Sequence, residues 1–341
     1  MRTKLLRFGG VCVKKMIAII GLMGLCLILS ACSTNRDITH KQKKVTTENK
    51  LKIYTTVFAF ESFTKQIGGK YVDVDTIYPP GADMHTYEPS QRDMINIAKS
   101  DLFVYSSDHL DPVAAKITKS MNNNDMKLAV ANSLNKQILV NEDDDHDEHG
   151  HHHEATSYDP HVWLDPILDQ QFAKKIKDDL VHKDPAHRRY YEHNYKQLVE
   201  DLKQIDHTLS NITRRPKRDK VIISHDSLGY LARRYHFEQE GISGMNNKEP
   251  SQKDILALIN QIKDTHEPYI LYEQNISSKI TDVIRKETQT QPVNFNNLAV
   301  LSQSQSEDQT LTFQSIMKKN IQALDKACLL YTSPSPRDVE E

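Results

Sequence analysis

Residues 185–213 carry one unbroken apolar stripe, and it divides the chain into two similar halves. Tyr191, Tyr195, Leu198, Leu202, Ile205, Leu209 and Ile212 recur at alternating spacings of four and three. That is the period of one helix face. Asp184 and Pro185 suit the N-cap and first helical position, and Pro216 lies just beyond the end. At 1.5 Å per residue the helix would be about 43 Å long. It could pair in a coiled coil, but a helix packed along both halves suits a chain of 341 residues better.

Strand-like and helix-like segments alternate on each side of this stripe. Before it, LKIYTTVFAF (51–60), YVDVDTIY (71–78), DLFVYSS (101–107) and KLAVANSL (127–134) read as strands. ESFTKQIGG (61–69), QRDMINIAK after Ser90, and a segment near 111–121 read as helices. After it, KVIIS (220–224), PYILYEQ (268–274) and PVNFNNL (292–298) read as strands. DSLGYLARRYH (226–236), a segment opened by Pro250-Ser251, SSKITDVIRKET (277–288) and a stretch near 310–327 read as helices. This rhythm predicts α/β architecture with mostly parallel sheets. We expect a lobe over 51–183, a linking helix over 184–215 and a second lobe over 216–327.

The N-terminus reads as a targeting segment. Residues 16–29 form an apolar run of 14 behind Lys14 and Lys15. That is short for a membrane span, which needs about 20 residues. It fits the apolar region of a secretion signal over 1–31. The run ends Leu29-Ser30-Ala31-Cys32, a pattern similar to the lipobox of bacterial lipoproteins, in which Cys32 would carry lipid. An ordinary signal peptide with an incidental cysteine is the alternative. Residues 32–50 read as a polar tether. Removing five basic residues with the signal takes the net charge from −2 to −7. That balance argues against nucleic acid as a partner. Cys12 and Cys26 would leave with the signal, so Cys328 has no disulfide partner.

Open α/β sheets bind ligands at the carboxyl ends of their strands, and three of the 16 histidines each follow a strand or sit in such a loop. His85 lies in PPGADMHTYEP, His161 in DPHVWLDP, and His225 directly after KVIIS. A lone histidine in such a place is usually structural. Three in equivalent positions are a stronger signal of a ligand site.

The motifs PPGADMHTYEPS, DPHVWLDP, ISHDSLGYLARRY and EGISGMNNKEPSQKDI stand in this order behind a lipobox. Together they resemble the zinc-specific solute-binding lipoproteins of ATP-binding-cassette importers, over residues 51–327. The resemblance implies two (β/α) lobes joined by one long rigid helix, with Zn²⁺ in the cleft between them. It assigns metal-ligand roles to His85, His161 and His225. It implies a lipid-anchored monomer on the extracytoplasmic face of the bacterial cytoplasmic membrane, partnered by a permease and its ATPase. Some relatives add a carboxylate where this chain has Ala299, within Asn296-Asn297-Leu298-Ala299. The fourth donor is then water, a loop histidine, or a carboxylate such as Glu273. Three imidazoles favour zinc, whereas Mn²⁺ prefers oxygen ligands.

Residues 142–154, EDDDHDEHGHHHE, hold His146, His149, His151, His152 and His153. Such a tract cannot bury a core. It reads as an auxiliary zinc collector, or as a solvated acidic linker. Trp163 is expected to orient the His161 loop by packing, and Asp226 to cap a helix. Glu88 either holds the His85 loop or faces solvent, and Asp159 and Asp165 either support ligands or form turns beside proline. From Cys328 onward the sequence departs from the helix pattern and reads as a non-native tail. The rival functions are a manganese-preferring protein of the same fold, a surface adhesin and a zinc hydrolase. No HExxH or GxSxG motif supports the last, so a non-enzymatic role is expected.

Overall fold

The computed structural model describes residues 44–140 and 158–329, except 215, 217, 219 and 276–278. Cys32, most of the proposed tether, the five histidines of 146–153 and residues 330–341 lie outside the described residues. Among the described residues, no helix is long and apolar enough to cross a membrane.

The first half folds as β1 (Leu51–Thr55), α1 (Phe58–Gly68), β2 (Val72–Thr76), α2 (Gln91–Ala98), β3 (Leu102–Tyr105), α3 (Pro112–Ser120) and β4 (Lys127–Ala129). Its four strands are parallel in the order β2-β1-β3-β4. Two helices follow, α4 (Pro166–Lys183) and α5 (Arg188–Thr213). The second half runs β5 (Lys220–His225), α6 (Gly229–Tyr235), β6 (Glu238–Ser243), α7 (Gln252–Thr265), β7 (Tyr269–Glu273), α8 (Lys279–Thr288), β8 (Gln291–Phe295), a short α9 (Gln303–Ser306) and α10 (Phe313–Leu324). Its strands are again parallel, in the order β6-β5-β7-β8. The two sheets therefore share one topology. Each has its switch point between its two central strands.

The stripe predicted on the long helix is real. Tyr191, Leu198, Leu202, Ile205 and Leu209 are buried on α5. This helix packs along α1 and α4 of the first lobe and against α6 and α10 of the second. One apolar core runs under both sheets, from Ile53 and Phe103 to Ile223 and Leu271. The alternate residues Ile222 and Ile270 face a smaller core with Ile242, Leu258 and Ile262. That alternation is the two-residue period of a strand covered on both faces.

Several boundaries differ from expectation. VFAF (57–60) reads as strand, yet α1 begins at Phe58. The helix starts there because Phe58 N–H donates to the Ala299 carbonyl at 2.8 Å and Ala59 N–H to that of Leu298 at 3.1 Å. Tertiary contacts thus satisfy donors that a helix start leaves open. Asp184 does not cap the long helix. It precedes a 3₁₀ turn over Pro185–His187, and its carboxylate accepts from His187 Nδ1 at 2.6 Å and Tyr191 Oη at 2.7 Å. Helix α4 and strand β6 are elements the sequence did not suggest. Asp165 caps α4, accepting from the N–H groups of Ile167 and Leu168, with Pro166 in the first turn. Strand β6 (EQEGIS) was hidden by its polar residues and an internal glycine. Ser90 and Ser251 close reciprocal capping boxes with Asp93 and Asp254.

Candidate metal centre

Each histidine of the predicted trio is positioned by a different device. His85 follows β2 in a loop that turns at Gly81, whose φ of +79° suits a residue without Cβ. Asp83 Oδ1 accepts the His85 backbone N–H at 2.9 Å, while Asp83 Oδ2 accepts Asn247 Nδ2 at 2.9 Å. That second bond reaches across to the loop after β6. His161 lies in the turn before α4. Asp159 Oδ1 accepts both its backbone N–H, at 2.8 Å, and its ring Nδ1–H, at 2.7 Å. Asp159 is held in turn by Tyr230, whose hydroxyl donates to its carbonyl at 2.9 Å. Gly229 permits this approach, because a Cβ there would come within 2.6 Å of Asp159 Oδ2. Trp163 crosses His161 edge to face at 5.5 Å, and its Nε1–H donates to the Asn297 carbonyl at 2.7 Å. His225 is the last residue of β5. Its Nδ1 donates to Glu273 Oε2 at 2.9 Å and its Nε2 to the Met245 carbonyl at 3.0 Å.

These devices bring the three rings together. The ring centroids are 5.0–5.5 Å apart. One nitrogen from each lies within 4.8 Å of the others. His161 and His225 are fully buried and His85 is half-buried. Nε2 of His85 and of His161 are buried with no hydrogen-bond partner. Such orphaned groups are rare and mark a missing ligand or water. In His161 the Asp159 bond fixes the proton on Nδ1, which leaves the Nε2 lone pair directed away from that carboxylate.

The electrostatics divide the trio. Burial, with the neighbouring imidazoles adding to it, pushes His85 and His161 down to about 3. Both imidazoles are neutral at any physiological pH. Burial also works against the charged form of His225. There the Glu273 charge, the Glu273 hydrogen bond and the Met245 carbonyl outweigh it and raise the ring to about 9. Apo His225 is therefore an imidazolium at neutral pH, with both nitrogens donating. Burial raises Asp159 to about 7.

A metal held by His225 would have to displace its proton, so protons would compete with it below about pH 9. Zinc binding at pH 7 should release at least about one proton, that of His225, with a further share from Asp159. Apparent affinity should rise at least about tenfold per pH unit from 6 to 8. Calorimetry in buffers of different ionisation enthalpy measures this. Buffer-independent heats would contradict it.

Other expected residues fall differently. Glu273 does not join the imidazole group. Its Oε2 accepts from His225 and from Asn297 Nδ2 at 2.9 Å, and its Oε1 accepts from Ser227 Oγ. Ala299 is buried, with its N–H on Asn297 Oδ1 at 3.0 Å. Glu88 faces solvent beside Lys116, and Asp83 holds the His85 loop instead. Asp165 caps α4 and also pairs with Arg234 of the second lobe at 2.6 Å. Asp226 is not the cap of α6, whose N-cap position is Leu228 without a side-chain bond. Asp83, Ser227, Met245 and Asn297 were not singled out. Asp83, two residues before His85, was the one with a readable signal, because aspartate commonly bonds the backbone two residues on.

Two parallel α/β lobes that meet at a buried cluster of metal-capable imidazoles define a two-lobed metal-binding protein of the solute-binding class. The chain belongs to the ZnuA family, zinc-uptake complex component A periplasmic, whose family model matches residues 53–327. It is 30% identical over 307 residues to the high-affinity zinc uptake system protein ZnuA of Bacillus subtilis (strain 168), covering 89% of this chain and 95% of that one. Among solved structures it is similar to the metal-dependent lipoprotein YcdH from Bacillus subtilis, with a TM-score of 0.68 and 30% identity over 82% of this chain and all of that one. It is also similar to the laminin-binding protein Lmb of Streptococcus agalactiae, described as bifunctional with adhesin and metal transporting activity. There the TM-score is 0.69 and the identity 25%, over 81% and 99% of the two chains.

Proposed function

We propose that this protein captures extracytoplasmic Zn²⁺ and delivers it to a membrane permease powered by an ATPase. His85, His161 and His225 hold the ion, and Cys32 carries the lipid anchor. The observation that carries this reading is the pair of buried, unpartnered Nε2 atoms on His85 and His161 beside His225. Neutral imidazoles suit zinc. Manganese, which favours oxygen donors, finds no carboxylate in the group. Asp159 and Glu273 act behind the ligands, fixing ring orientation and tautomer.

The tract 142–154 serves as an auxiliary collector. Support comes from its flanks. Asp159 N–H donates to the Val140 carbonyl at 2.9 Å, so the intervening chain leaves and returns two residues before His161.

Native mass spectrometry after a chelator wash tests the reading. The parent should retain one zinc and the His85→Ala, His161→Ala, His225→Ala triple variant none. Deleting 142–154 should lower total zinc and leave the tight ion. Equal retention by parent and triple variant would overturn the assignment. Glu273→Gln removes the charge that raises His225. It should reduce proton release at pH 7 to the share of Asp159, weaken the pH dependence of affinity, and cost about 10–100-fold in affinity at pH 9. Titration calorimetry across pH reads all three.

A further inference from the structure

The two lobes repeat a run of sequence as well as a topology. Glu88-Pro89-Ser90-Gln91-Arg92-Asp93-Met94-Ile95 opens α2, and Glu249-Pro250-Ser251-Gln252-Lys253-Asp254-Ile255-Leu256 opens α7. The two runs differ only by Arg for Lys, Met for Ile and Ile for Leu. The helices are equivalents, because α2 follows β2 and α7 follows β6, strands that hold the same place in their sheets. The equivalent pair α1 (FAFESFTKQIG) and α6 (GYLARRY) shares no such run.

Helix capping explains part of the repeat, since Ser90 with Asp93 and Ser251 with Asp254 close capping boxes. It does not explain the acid before the cap, the base inside it or the apolar residue at the end. Glu88, Arg92 and Ile95 are exposed, and so are Glu249, Lys253 and Leu256. Ile95 keeps 53% of its surface in solvent and Leu256 62%, while Ile97 and Leu258, two residues on, are buried. Among the described residues the other large apolar side chain so exposed is Val283 on α8. One exposed apolar residue needs no explanation. Two at the same place in two copies of one run call for one.

The runs also stand around one point. Asn247 Nδ2 donates to Asp83 Oδ2 at 2.9 Å, which joins the loops ahead of the two helices. At no more than about 3.5 Å per residue, Ser90 and Ser251 each lie within about 25 Å of that bond. A single partner surface can reach both.

We propose that these runs are paired footprints for the permease that receives the ion, and that the permease meets them with two equivalent halves. The proposal rests on the transport reading above. Arg92 and Ile95 are three residues apart, as are Lys253 and Leu256, so each base shares a helix face with its apolar neighbour. By charge complementarity, each half of the receiver offers an apolar recess beside an acidic side chain. A repeated footprint matches a two-fold partner, whose symmetry presents the same surface twice. The joined loops, with His85 in one of them, then face the axis of the receiver.

Ile95→Asp, Leu256→Asp and the double variant test this in the full chain, loaded with zinc. The receiver is the cognate permease–ATPase complex in liposomes, and the readout is the protein concentration that half-stimulates ATP hydrolysis. Each single change should raise that concentration about tenfold, the 1.4 kcal/mol of one half-exposed apolar side chain removed from water. The double change should raise it about 100-fold. Zinc affinity by chelator competition should match the parent in all three, which shows that the fold is intact. Arg92→Glu with Lys253→Glu should also weaken stimulation, and Val283→Asp should leave it unchanged. Stimulation by the double variant at the parent's concentration overturns the proposal and leaves the transport reading standing. A loss confined to one lobe's variant, or an equal loss in Val283→Asp, overturns it as well. Self-association of the parent that the double variant abolishes, with stimulation unchanged, overturns it by giving the footprints to a second copy of this chain. A parent that never stimulates the ATPase overturns the transport reading and the proposal together.

Discussion

Replacing His161 with alanine should weaken zinc binding by roughly 10²–10³-fold. Structural zinc sites yield about 10–16 kcal/mol from four ligands, so each ligand accounts for about 2.5–4 kcal/mol. At 1.4 kcal/mol per factor of ten, that is the expected loss. His161 is the cleanest of the three to remove. It is neutral, so no proton competition changes with it. Its backbone N–H still donates to Asp159 in the variant, so the turn before α4 keeps its anchor. Competition against a chromogenic chelator measures the change. Circular dichroism in the absence of metal should match the parent. A variant that binds within threefold of the parent would show that the buried triad is not the tight site.

Trp163→Ala should destabilise the fold by about 3–5 kcal/mol, the usual range for a large aromatic removed from a core. Trp163 has no exposed surface and packs edge-on to Phe60 at 6.3 Å. Its Nε1–H is also a strut between the lobes, because Asn297 belongs to the second. Trp163→Phe separates the two roles. It keeps most of the packing and strands the Asn297 carbonyl, at a cost of about 1–3 kcal/mol. Asn297 also orients Glu273 and the Ala299 amide. The phenylalanine variant should therefore lose zinc affinity as well as stability. Urea unfolding of the apo protein gives the first number. A loss below about 1 kcal/mol in Trp163→Ala would refute the assignment of a packed strut.

The site was legible in the sequence to the extent that chain position implies spatial position. His85 follows β2 and His225 ends β5, and parallel sheets gather such positions, whereas His161 was legible only through its proline-bracketed loop. The linking helix was legible because its stripe has the period of a helix. What stayed hidden depends on partners far away in sequence. Phe58 starts a helix because carbonyls some 240 residues later receive its first N–H groups. Glu273 became the partner of His225 because β5 and β7 are neighbours, with Ile223 opposite Leu271. No local pattern encodes that adjacency. Glu88 drew attention by standing near His85 in sequence, yet its side chain is 81% exposed.

The bonds that cross between the lobes set how often the lobes stand apart. Phe58 and Ala59 donate to Ala299 and Leu298, Gly81 N–H to Leu301, Trp163 to Asn297 and Asn247 to Asp83, while Arg234 pairs with Asp165. Swinging the lobes apart would break these six at once, along with others such as Tyr230 Oη to the Asp159 carbonyl. At about 1 kcal/mol each, the six alone open a gap of about 6 kcal/mol. A gap of that size leaves fewer than about one molecule in 10⁴ open at any moment. Leu298 sits at φ +58° in the middle of this seam, a conformation held by bonds on both sides. The seam acts as a latch: a wide-open arrangement of the lobes is rare, so little of any ion in the cleft would leave by that route.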